Sequence, residues 1–234
     1  MKVEINKPIL DRNDTLAARV RKQMDENSIY LLDILASPGA GKTSLILATI
    51  AALRDTYRIA VIEGDIASQV DAQRIKEQGI SAVQINTGGI CHLESQMILR
   101  ALEVLNLPEL DLIIIENVGN LVCPTDFYLG EDAKVMILSV PEGHDKPLKY
   151  PGVFQAAKAI ILNKIDVIDH FDFNEQNFRY DIERLNPSAA VFPLSATTGE
   201  GINDWTQWLD VQIASRTADK ATADTRPIVV QPSR

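Results

Sequence analysis

Residues 36–43 read ASPGAGKT and join two stretches of opposite periodicity. Before them, IYLLDIL (29–35) has the length and apolar character of a buried strand; after them, TSLILATIAALR (43–54) has the spacing of a helix. The connection Ala36-Ser37-Pro38-Gly39-Ala40-Gly41-Lys42-Thr43 therefore turns a strand directly into a helix. Gly39 and Gly41 let successive backbone N–H groups converge on one point, where the helix N-terminus adds its positive dipole end. Lys42 can reach the β- and γ-phosphates of a nucleotide, and the Thr43 hydroxyl suits Mg²⁺. Ala36 stands where this pattern usually opens with Gly. A plain glycine-rich turn is the weaker alternative. The expected nucleotide-binding set is Pro38, Gly39, Ala40, Gly41, Lys42, Thr43 and Ser44.

The rest of the chain repeats the alternation. YRIAVIE (57–63), AVQIN (82–86), LIIIE (112–116), KVMILSV (134–140), KAIILN (158–163) and AVFPLSA (190–196) read as strands. Helices are expected over 13–27, 68–79, about 92–105 and 202–213. Near-continuous apolar strands separated by helices predict an α/β fold of the P-loop NTPase type, a doubly wound, mostly parallel sheet with helices on both faces. Residues 1–28 read as an N-terminal extension whose amphipathic helix carries Leu16, Val20 and Met24 on one face. Residues 29–213 form the expected nucleotide domain, and the polar, proline-dotted stretch 214–234 is an expected disordered tail.

A formal net charge of −9 argues against a nucleic-acid partner, whose footprint is a basic face. No apolar run is long enough to span a bilayer, and the first residues do not resemble a signal peptide, so a cytoplasmic setting without membrane attachment is expected. Two cysteines make no disulfide framework.

Asn163-Lys164-Ile165-Asp166 closes an apolar strand, at the edge where ligands bind in an open α/β sheet. The Asp166 carboxylate can accept from guanine N1–H and the 2-amino group, a donor pair that adenine lacks. With Ser195-Ala196 after the next strand, this pattern resembles the guanine signatures of GTPases and implies GTP and GDP as ligands.

One adjacent pair is ambiguous by itself. In GGICHLE (88–94), Cys91 and His92 admit three readings: a metal site, a thiol with its base, or a buried thiol beside a helix-start polar residue. The last is the commonest on composition alone. No oxyanion-hole motif accompanies the nucleophile reading. Cys123 belongs with the pair if the strand ends converge, and two thiolates with an imidazole suit Ni²⁺ or Zn²⁺.

Glu116-Asn117-Val118-Gly119-Asn120-Leu121-Val122-Cys123-Pro124, EGDIASQVDAQRI (63–75), GGICHL, PEGHDKPLKYPGVF (141–154) and NKIDV occur in this order and together resemble the HypB family of hydrogenase maturation GTPases. The resemblance covers roughly residues 13–209. It implies slow GTP hydrolysis with Lys42, Asp65 and Glu116 as catalytic residues and Mg²⁺ held by Thr43, Asp65 and Glu116. It also implies a nickel or zinc site of Cys91, His92 and Cys123 at the interface of a GTP-state homodimer. Gly119, with Glu116, would respond to the γ-phosphate, and Lys146 and Lys149 would belong to a loop facing the partner protomer; for the two lysines a solvated loop is an equal alternative. The implied partners are a second nickel metallochaperone and the precursor of a [NiFe]-hydrogenase large subunit. The stretch preceding Cys91 holds neither Cys nor His, so a cysteine- or histidine-rich nickel store is not expected there, and His144 stands where the family suggests an acidic residue. Competing functions are a urease-type nickel GTPase, a small-molecule kinase on the same phosphate loop, and a nickel carrier that does not hydrolyse GTP.

Overall fold

The computed structural model describes residues 7–64 and 78–223. Among the described residues, seven strands form one sheet: β1 Tyr30–Ala36, β2 Ile59–Glu63, β3 Ser81–Gln84, β4 Leu112–Glu116, β5 Ala133–Ser139, β6 Ala159–Asn163 and β7 Ala190–Leu194. Their order is β3-β2-β4-β1-β5-β6-β7 and every pairing is parallel. The helices are α1 Lys7–Asn27, α2 Lys42–Leu53, α3 Ser95–Leu102, α4 Lys146–Lys149, α5 Pro151–Ala156, α6 Glu175–Leu185 and α7 Ile202–Ala223. The fold is thus the doubly wound α/β type expected.

Strand alternation distributes the core over two faces. Tyr30, Leu32 and Ile34 of β1 pack with Leu45 and Ile46 of α2 and with Trp205 and Leu209 of α7. On the other face, Leu31 meets Val20 and Met24 of α1 and Ile98 of α3, while Leu35 joins Phe154 of α5 and Phe178 and Ile182 of α6. Burying each such side chain contributes roughly 1.5–3 kcal/mol. The α1 helix starts at Lys7, six residues before its expected start, and two of its three stripe residues, Val20 and Met24, are fully buried.

Two differences from the sequence reading have physical causes. The last helix runs to Ala223 instead of stopping near 213, and Arg216 on it pairs with Asp25 of α1 and approaches Asp132 at 3.5 Å. Residues 224–234 of the expected tail lie outside the described residues. The other is α6, unassigned from sequence although its signals were there. Asn174 caps it by accepting from Asn177 N–H at 2.9 Å, and Phe178 and Ile182 fall one turn apart on its buried face. Among the described residues, no helix is long and apolar enough to cross a membrane.

Candidate functional site

Parallel strands deliver their ends to one edge. There Ala36 of β1 opens the phosphate loop, with Glu63, Glu116 and Asn163 ending β2, β4 and β6 beside it. The loop adopts the conformation its glycines permit: Gly39 and Gly41 have φ of 76° and 104°, in the region that favours glycine. A Cβ at Gly41 would sit 2.4 Å from Asn163 Nδ2, so its absence also lets β6 approach. Lys42 is buried at the start of α2. The Thr43 hydroxyl donates to Glu116 Oε1 at 2.9 Å, bringing a hydroxyl and a buried carboxylate together beside the loop. That oxygen pair is the donor type Mg²⁺ prefers.

The base signature is clamped to the same loop. Asn163 Nδ2 donates to Ala40 O at 2.9 Å, and Asn163 Oδ1 accepts from Ala196 N–H at 3.1 Å. Lys164, itself at φ 63°, donates to Gly39 O at 2.7 Å. Asp166 stands exposed beyond them and Ser195 is buried. Asn163 and Lys164 thus act as struts, and Asp166 is free to face a base. The Ala196 N–H of the Ser195-Ala196 segment is engaged by Asn163.

The ambiguous pair of the sequence reading has found its third member. One ligand atom each from Cys91, His92 and Cys123 lie within 4.8 Å of one another, and among the described residues this is the cluster of such groups able to hold a metal ion. Two thiolates bound to one ion about 2.3 Å away lie roughly 3–4 Å apart, so a small closure completes the set. Cys91 Sγ is 3.8 Å from His92 Nδ1, which turns the other ring nitrogen, Nε2, toward Glu94 at 3.7 Å. Cys91 is exposed; Cys123, opening a short 3₁₀ turn over Cys123–Asp126, is half-buried. The Cys123 thiol beside it, first by hydrogen bonding, then burial and charge, raises the Cys91 pKa. Ionising Cys91 beside that thiol is therefore unfavourable until a cation neutralises the charge. Burial lowers the His92 pKa against the pull of Glu94, which keeps the imidazole neutral with a lone pair to offer.

Several neighbours were not legible as site residues. Phe127 stacks on His92 with ring centroids 3.9 Å apart and planes at 27°. Asn120 donates to Cys91 O at 3.3 Å. Asn117 Oδ1 accepts from Leu93 N–H at 3.3 Å, and the Leu93 side chain fills the space a Cβ on Gly64 would need. Glu116, Asn117, Val118 and Gly119 therefore lie physically between the phosphate loop and the Cys91–His92–Cys123 cluster. Gly119 rests against Pro38 of the loop, 3.1 Å from where a Cβ would stand.

Asp65 and most of the helix expected over 68–79 lie outside the described residues. Lys149 is paired at 2.5 Å with Asp145, and Lys146 sits 5.3 Å over the Tyr150 ring. Both contacts stay within residues 145–150. His144 accepts from Asn174 N–H at 3.3 Å and meets Phe173 edge-on, which ties its loop to α6, away from the thiols.

Residues 32–193 match the family described as CobW/HypB/UreG, nucleotide-binding domain. The hydrogenase maturation factor HypB of Rhizobium leguminosarum bv. viciae is 47% identical over 214 residues, 92% of this chain and 72% of its own. The hydrogenase/urease maturation factor HypB of Helicobacter pylori is 40% identical over 211 residues, covering 88% and 86%. Among solved structures, HypB from Helicobacter pylori in complex with nickel superposes with a TM-score of 0.83 at 38% identity, over 87% of this chain and 96% of that one. HypB from Archaeoglobus fulgidus gives 0.82 at 34% identity, over 87% and 99%. Sequence and fold agree across most of the chain, and it belongs to the HypB family of hydrogenase maturation factors.

Proposed function

We propose that this protein is a GTP-hydrolysing nickel metallochaperone whose nucleotide state controls a metal site shared between two copies of the chain. One observation carries the reading: residues 116–123 begin at the Thr43–Glu116 pair and end on Cys123, beside Cys91 and His92. A γ-phosphate that moves Glu116 and Gly119 thereby has a short covalent route to a metal ligand.

In this reading, the loop amides and Lys42 hold the phosphates, and Asp166 selects guanine against adenine. Thr43 and Glu116, with Asp65, would hold Mg²⁺, which when bound neutralises charge on the phosphates. Lys42 stabilises charge that develops toward the β-phosphate as water displaces GDP from the γ-phosphate. Nickel is the cargo. The sulfur-rich donor set suits a borderline-soft ion, and zinc shares that preference. Ile90 and Val122, large apolar residues flanking the thiols, are exposed, which fits a surface that a second copy covers in the GTP state. Delivery to a hydrogenase large-subunit precursor, with a second nickel chaperone upstream, follows from the family. The name of the Helicobacter relative makes urease maturation the second destination.

Phosphate release from GTP, followed with nickel binding to the same preparation, tests the proposal. Free phosphate without transfer to a small-molecule acceptor is expected, along with nickel binding that Cys123→Ala abolishes. Phosphoryl transfer to an acceptor, or nickel binding indifferent to Cys123→Ala, would overturn it.

A further inference from the structure

Strand β5, AKVMILS, is buried along its whole length, yet its second residue is a lysine. Lys134 is register partner to Asp33, an aspartate in the equally buried β1. Both side chains project to the sheet face that carries α1 and α3, where Lys134 Nζ lies 3.8 Å from Asp33 Oδ2 and 3.6 Å from Glu131 Oε1. Three ionisable groups in such a place are costly, and an apolar trio of similar volume is often as stable or more so. Burial pushes the Asp33 carboxyl up to about 7 against the attraction of Lys134, with Glu131 adding to the rise. Simple stabilisation of the fold is therefore a weak reason for their presence.

The hydrogen bonds point elsewhere. Lys134 Nζ donates to Phe127 O at 2.7 Å and Pro124 O at 3.2 Å, one carbonyl just after and one within the turn that begins at Cys123. The Phe127 ring is the one stacked on His92. Asp33 Oδ1 accepts from Asn117 Nδ2 at 3.0 Å, and Asn117 Oδ1 accepts from the N–H of Leu93, next to His92. Two arms thus rise from one buried cluster: Lys134 holds the Cys123 half of the ligand set, and Asp33 through Asn117 holds the Cys91–His92 half.

We propose that Lys134 and Asp33, acting through Asn117, are positioning residues that set the spacing between Cys123 and the Cys91–His92 pair from inside the sheet. The inference rests on the metal-site reading above and assigns it a rigid base. Since Asn117 follows Glu116 directly, any shift of the γ-phosphate segment is transmitted to one arm while the other stays anchored on β5.

The test compares wild type with Cys123→Ala, Lys134→Met and the double variant Asp33→Asn/Lys134→Met. The double variant removes the buried ammonium together with its register-partner carboxyl and carries the test if Lys134→Met alone does not fold. Each is titrated with nickel(II) sulfate while the thiolate-to-nickel charge-transfer absorption is recorded, and GDP affinity is measured alongside. Nickel affinity about ten-fold weaker, a displaced absorption band and unchanged GDP affinity are expected of the double variant, the scale typical of groups that orient metal ligands. A merely structural role would leave the band in place. Wild-type affinity and band in the double variant, with nickel binding lost in Cys123→Ala, would overturn the inference alone. Retention of wild-type nickel binding by Cys123→Ala would overturn the metal-site reading beneath it.

Discussion

Adding one methyl group at Gly41 should damage recognition of the guanine base as well as the phosphates. Gly41 has φ 104° and ψ 31°, where an L side chain costs about 1–2 kcal/mol. Its new Cβ would lie 2.4 Å from Asn163 Nδ2, so Asn163 must move. That breaks the 2.9 Å bond to the buried Ala40 carbonyl, costing a further ~1–3 kcal/mol for the stranded acceptor. The strain and the stranded carbonyl exist before any ligand arrives. They should therefore appear as about 2–5 kcal/mol lost from the stability of nucleotide-free Gly41→Ala in denaturant melts. Displacing Asn163 also releases Ala196 N–H and the segment that carries the base signature. GDP affinity should then fall at least about ten-fold, the equivalent of one such bond, and discrimination between GDP and ADP should narrow with it. Competition of both nucleotides against a fluorescent GDP analogue measures the two effects together. Weakened GDP binding with undiminished selectivity would refute the strut role of Asn163; wild-type stability would refute the clash itself.

Thr43→Ala removes the hydroxyl that meets Glu116 at 2.9 Å, and should lower the magnesium-dependent rate of phosphate release about 10–100-fold while GDP binding without magnesium changes little. Phe127→Leu removes the ring stacked on His92 and should weaken nickel binding a few-fold in equilibrium dialysis, by the roughly 0.5–1.5 kcal/mol such a pair contributes. Asp33 has a folded-state pKa of about 7, above its ordinary 3.8, so the folded state holds the extra proton between those values. Its contribution to stability is fully present below pH 3.8 and lost as pH rises through about 7. Asp33→Asn cannot titrate, and its stability relative to wild type should therefore increase by about 2–3 kcal/mol between pH 5 and pH 8, read from melts at both.

The parts legible in the sequence were those with local causes. Strands such as LIIIE and AIILN are buried on both faces and read as apolar runs, so the parallel sheet was visible. The phosphate loop was visible because glycine, lysine and threonine are needed there in fixed order. Cys123 could be associated with Cys91 and His92 through convergence of strand ends, and the structure brings all three within 4.8 Å. What escaped were contacts made by register and packing. Nothing local marks Phe127 as the ring over His92, or Asn117 as the acceptor for Leu93 N–H. Asp33 and Lys134 did carry a signal, each a charge inside an apolar strand, yet only the β1–β5 register makes them neighbours. Likewise the final helix continues past 213 through a polar stretch whose support is tertiary, with Arg216 paired to Asp25.

If the nucleotide acts on Cys91, His92 and Cys123 through residues 116–123, the coupling is reciprocal in binding free energy. Nickel titrated calorimetrically into the wild-type protein, once with GDP and once with a non-hydrolysable GTP analogue, measures it directly. Nickel should bind more tightly in the GTP-analogue state, by about five-fold or more, within the usual range of coupling between two sites. Equal nickel affinity in the two states would contradict it.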